Sequence, residues 1–94
     1  MRYFDKDGRE IDAKRHHQLA DDPNYTSICS TVVRDHSVRT VWVGTDEFRN
    51  ADGHPLTYRT VLYNEHGEMM VLWSPTLGDA LDAHQRCSRQ VFYP

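Results

Sequence analysis

The sequence predicts an α+β domain, and three features carry that expectation. Strand-like runs recur at Val38–Gly44, Thr57–Tyr63 and Glu68–Trp73; an Asp-Gly turn near the start joins two short apolar segments; and the chain closes on a capped helical stripe. Alternation with a period of two marks the strands, and apolar recurrence at i, i+3, i+4 marks the helix. The expected architecture is an N-terminal β-hairpin and short helix, then a four-stranded antiparallel sheet with a C-terminal helix packed on one face, all in one domain spanning residues 1–94.

Taken in order, Tyr3-Phe4 and Arg9-Glu10-Ile11 flank Asp5-Lys6-Asp7-Gly8, where glycine accepts the positive φ of a tight turn. The same Asp-x-Asp-Gly spacing invites a calcium-loop reading. It fails on the ligands, because Tyr3 stands at the first ligand position and Lys14 at the position of the bidentate glutamate. Asp12 is placed to cap a helix over Ala13–Ala20, stopped by Asp21-Asp22-Pro23 and thin in apolar residues. Ser27–Val33 and Val38–Gly44 form a hairpin across Arg34-Asp35-His36-Ser37. Alternation puts Val41 and Val43 on one face and Thr40 and Trp42 on the other, so both faces of that strand are expected to be covered. Thr45–Leu56 has no periodicity, and Asn50, Asp52-Gly53 and Pro55 mark turns within it. Such a segment in a small domain is expected to be functional or mobile. After Ser74-Pro75, Thr76 and Asp79 have capping-box spacing, and Leu77, Ala80, Leu81, His84, Cys87 or Ser88, and Val91 form the apolar stripe.

Bulk properties narrow the function classes. The net charge is −3 with 27% charged residues, which argues against general nucleic-acid binding, since that usually needs a basic face. The opening residues lack the apolar core of a signal peptide. The longest apolar run, Met69–Trp73, is far below the roughly 20 residues of a membrane span. Two cysteines make no disulfide framework, so the expectation is a cytoplasmic protein with free thiols, no membrane association and no cofactor.

Four groups of residues are candidates for chemistry or recognition. His84 and Cys87 share a helix face and offer a nucleophile with its base or half a zinc site; their place on the apolar stripe favours packing roles. His16 and His17 are adjacent and point about 100° apart, so they cannot chelate one ion together, and no metal site is expected. Arg34, His36, Arg39 and Tyr58, with Arg59 beside them, make a candidate cationic patch for RNA or phosphate esters. In the loop, Asp46, Glu47, Phe48, Arg49, Asp52 and His54 read as a partner-binding group, with Phe48 the apolar anchor and the carboxylates steering it to a basic surface. The bland alternative folds Phe48 back as a plug. No Gly-rich phosphate loop, serine elbow or dinucleotide fingerprint is present, which weighs against an enzyme.

The pattern of Val38, Thr40, Val41, Trp42, Gly44 and Asp46, followed by Pro55, Leu56, Tyr58, Thr60 and Tyr63, resembles an uncharacterised family of small phage, prophage and plasmid proteins. The hairpin from Phe4 to Ile11 and the segment Thr76–His84 echo the family's ends, while Glu47, His54 and Arg59 depart from its usual residues. The resemblance implies a setting, an accessory gene of a mobile element in a bacterial host, and no mechanism. The resulting expectation is a stoichiometric inhibitor of a host or defence complex, of the anti-CRISPR or anti-restriction kind. The alternatives are a small RNA-processing or toxin-like protein using the Arg/His/Tyr patch, and a homo-oligomeric scaffold built on a sheet edge.

Overall fold

The computed structural model describes residues 1–92, with side-chain surroundings through Gln90. A hairpin of β1 (Tyr3–Phe4) and β2 (Glu10–Ile11) precedes α1 (Ala13–Ala20) and a single turn, α2 (Pro23–Thr26). Strands β3 (Ser27–Val33), β4 (His36–Trp42), β5 (Tyr58–Asn64) and β6 (Gly67–Ser74) form one antiparallel sheet in chain order, and α3 (Leu77–Phe92) lies across it. The α+β architecture is the one read from the sequence. The turn α2 is an addition: Asp22 does not merely stop α1, because its carboxylate also accepts from the Asn24 N–H and caps a Pro23-led turn.

Helix caps follow the side chains. Asp12 Oδ1 accepts from the Arg15 N–H at 2.7 Å, and Thr76 Oγ1 accepts from the Asp79 N–H at 3.1 Å. Only Leu19 of α1 is buried, as its thin apolar content implies. Among the described side chains of α3, Ala80, Ala83, His84 and Cys87 are buried, while Leu77 and Leu81 are exposed. The stripe is therefore rotated towards its small members, and the helix lies close on the sheet because alanines need little clearance. The expectation that Val91 continues the stripe falls outside the side chains described.

Cross-strand register fixes the two faces. Thr31, Val38, Leu62 and Met70 form one row beneath α3; Cys29, Thr40, Thr60 and Leu72 form the next, and Trp42, Tyr58 and Ser74 the third. The core divides accordingly: Val38, Leu62 and Cys87 make one cluster, and Leu19, Trp42, Tyr58 and Ala80 the other. Trp42, not Trp73, is the core aromatic at 3% exposure, and its Nε1 donates to the Phe4 carbonyl.

Among the described residues the opposite face is not covered by a second layer, contrary to the expectation drawn from the alternation of β4. Its rows are Ser27–Val41–Arg59–Trp73, Ser30–Arg39–Val61–Val71 and Val32–Ser37–Tyr63–Glu68. Among the described elements no helix packs there, and Val32 stands 72% exposed. Arginine stems and neighbouring strands shield Val61 and Val41 instead.

Candidate functional site

The segment between β4 and β5 is a compact hairpin braced from within. The Leu56 N–H donates to the Phe48 carbonyl and the Asn50 N–H to the His54 carbonyl, and Asn50 Oδ1 accepts from the N–H groups of Asp52 and His54. Arg49 ties the turn together, donating to the Gly53 carbonyl at 2.6 Å and to Asp46 Oδ2 at 2.8 Å. Asp46 also accepts from the Arg2 N–H, and Tyr3 bridges to Thr45, so the N-terminal strand clamps the base. That backbone N–H and the Arg49 guanidinium hold the Asp46 carboxyl below its usual range. Aperiodic sequence here encodes a locked turn through side-chain-to-backbone bonds.

Of the six residues proposed for partner binding, the structure gives two of them internal work. Asp46 and Arg49 brace the loop, whereas Glu47, Phe48, Asp52 and His54 are exposed on it. The Phe48 ring lies 4.8 Å from that of Trp73 and is still 46% exposed. It is both folded back and presented. This contact also joins the loop to the uncovered face of the sheet, whose row ends at Trp73.

The Arg/His/Tyr patch is not assembled. Tyr58 is buried on the α3 side, at the end of the sheet away from the β3–β4 turn. Its hydroxyl donates to the Lys6 carbonyl at 3.3 Å, and burial, then the neighbouring Tyr25, Asp7 and Asp5, push its pKa up to about 12. Arg34 occupies the β3–β4 turn with φ 55°, and His36 pairs with Asp35 at 2.9 Å. Arg39 lies on the uncovered face, where register sets it diagonal to Arg59. Those two arginines, with Val41, Val61 and Tyr63, line a depression of about 200 Å³. Alternation along β4 and β5 alone could have paired them, since both are an even step from Val41 or Val61.

His84 and Cys87 have structural partners. The two ring nitrogens of His84 meet Thr31 Oγ1 at 2.9 Å and Thr40 Oγ1 at 2.8 Å, and Thr40 also bonds Thr60 at 2.7 Å. With one donor and one acceptor nitrogen, a neutral imidazole suits this hydroxyl network, and burial lowers the His84 pKa. Burial also raises the Cys87 thiol, away from the thiolate a nucleophile needs. Sequence spacing placed the pair on one face, but the threonine triad across three strands was invisible to it. His16 donates from Nε2 to the Val43 carbonyl and packs between Tyr3 and Trp42, while His17 faces Asp21 at 3.6 Å in solvent. No cluster of three metal-ligating side chains occurs among the described residues.

A larger cleft of about 480 Å³ runs between the edge of β6 and α3, lined by Trp73 and Pro75 and by both signs of charge, Asp79 and Asp82 against Arg86 and Arg89. No helix among the described residues is long and apolar enough to cross a membrane. No protein-family model matches the chain, and neither a curated protein nor a solved structure matches it. The class defined by fold and surface is an α+β domain with one helical layer, one uncovered sheet face and a braced acidic loop beside it.

Proposed function

We propose that the protein acts by stoichiometric binding to another protein, through the loop Thr45–Leu56 and the sheet residues beside it. The supporting observation is the internal bracing of that loop. A surface already held in shape loses little conformational freedom on association, and rigid aromatic anchors contribute most to affinity. Phe48, supported by Trp73, is the anchor, and the outward carboxylates of Glu47 and Asp52 complement a basic surface on the partner. Together with the resemblance to small phage and plasmid proteins, this makes an anti-defence inhibitor in a bacterial cytoplasm the reading we favour.

The test begins with the tagged chain in nuclease-treated lysate of its bacterial host. One protein complex should copurify in stoichiometric amount. The double variant Glu47→Lys/Asp52→Lys should lose it, while the melting temperature stays the same. Asp46 is left intact because it braces the loop. Recovery of the protein alone, or unchanged capture by the double variant, would refute the loop as the binding element.

A further inference from the structure

The uncovered sheet face holds two arginines whose stems shield the strands and whose charges have no ionic partner among the described residues. Arg39 and Arg59 sit in adjacent rows of adjacent strands. Arg59 is the more telling. Its Nε is buried with no hydrogen-bond acceptor among the described residues, in a row between Val41 and Trp73. An unmatched guanidinium N–H in a part-buried site is costly, and such orphans call for an explanation. The depression the two arginines share, about 200 Å³ with Tyr63 at its rim, has room for one small oxyanion group. A planar guanidinium presents paired N–H donors that match a carboxylate.

Three occupants compete. A second copy packed face to face would bring its own two arginines against these two, and like charges would meet at the centre. A nucleic acid would offer a phosphate, but it would also bring many further negative charges to a chain of net −3 that carries Glu68 in a row of this face. A single carboxylate on an otherwise apolar segment suits the site better. Its charge is confined to the arginines, and its apolar neighbours find Val41, Val71 and Trp73 along the rows.

We propose that the uncovered face of the sheet is a carboxylate-binding site, in which Arg39 and Arg59 grip a glutamate or aspartate side chain of a partly apolar protein segment. The site lies on the strands, so it stands or falls separately from the loop. It assigns the partner an acidic side chain in addition to a basic surface.

The experiment follows the arginine Nε–H and backbone signals of the ¹⁵N-labelled full chain by NMR. The probes are a capped peptide of alternating glutamate and valine, the same peptide with glutamine for glutamate, and an oligouridylate of equal charge. The glutamate peptide should shift the Arg59 Nε–H and the β4 and β5 amides saturably, and the glutamine peptide should not. Arg39→Gln, at an exposed position that leaves the core intact, and Arg59→Gln should each weaken binding by roughly tenfold, as expected for losing one charge-assisted hydrogen bond. Arg15→Gln on α1 should change nothing. Equal response to both peptides, no saturable shift, or affinity unchanged in Arg39→Gln would overturn the proposal. Tighter binding of the oligouridylate at the same residues would replace the carboxylate with a nucleic-acid phosphate.

Discussion

Replacing Gly44 by alanine tests the packing beneath both candidate surfaces. Gly44 has φ +73°, and a Cβ built there would lie 2.2 Å from Cζ2, 2.5 Å from Cε2 and 2.8 Å from Cη2 of the Trp42 ring. Ordinary carbon contacts are about 3.5–4.0 Å, so the ring must move by more than about an ångström. The left-handed backbone costs an alanine roughly 1–2 kcal/mol. Displacing the ring breaks the Trp42 bond to the Phe4 carbonyl, about 1 kcal/mol, and overfilling the site adds roughly 1–3 kcal/mol. A loss of about 3–6 kcal/mol is expected, against a total of about 5–15 kcal/mol for a domain of this kind. Gly53→Ala supplies the comparison: its φ is +83°, but nothing lies within 4 Å of the new Cβ, so only the backbone cost of roughly 1–2 kcal/mol remains. Equilibrium urea unfolding followed by far-UV circular dichroism measures both variants without relying on the displaced indole. With a slope near 1 kcal/mol per molar for a chain this small, the two midpoints should be separated by more than about 1 M. Equal midpoints for Gly44→Ala and Gly53→Ala would refute the argument that Gly44 exists to admit the Trp42 ring.

The remaining expectations concern the polar core and the thiols. Because burial lowers the His84 pKa, unfolding takes up a proton between the folded value and the unfolded value of about 6.5. Its contribution to stability is complete above about pH 6.5 and falls as pH drops towards the folded value; His84→Leu should flatten that part of a denaturation-versus-pH profile, and an unchanged profile would exclude the role. Thr40→Val removes the hydroxyl that meets both Thr60 and His84, and should cost about 1–3 kcal/mol in urea unfolding. Cys87, buried with its thiol pushed up, should react with an aromatic disulfide reagent only as fast as the domain opens, well behind the half-buried Cys29.

The fold was legible where one local rule governed the outcome. Asp-Gly, Thr76 and the alternating runs each specify their element without reference to distant residues, and the hairpins came out in the expected order. The features that differ from local expectation share a cause. Alternation in β4 reports that both faces carry apolar side chains, but cannot say whether a helix or only arginine stems cover them. The loop appeared featureless because Asn50, Arg49 and Asp46 act through side-chain bonds to backbone, which leave no periodic mark. Tyr58 and Arg39 are both residue types suited to phosphate chemistry, but alternation across the β4–β5 pairing separates them to opposite faces. The Trp42-x-Gly44 motif is visible as a pattern; its cause, an indole lying over a bare α-carbon, is a tertiary contact that no local rule reports.

The sheet runs in chain order, each strand beside its predecessor, so its pairing asks the chain to close two tight turns and the one longer connection between Trp42 and Tyr58. The opening residues are the exception. Phe4 donates to the Gly44 carbonyl and accepts from Trp42, and Lys6 accepts from Tyr58, contacts that bridge most of the distance from the first strand to the middle of the chain. They share that long reach with the contacts that seat α3 on the sheet, where His84 meets Thr31 and Thr40, and on contact-order grounds both sets are expected to follow the pairing of the meander. A fusion placed at this end should therefore weaken the clamp that Phe4 and Lys6 make on Gly44, Trp42 and Tyr58 and leave the meander's own pairing untouched.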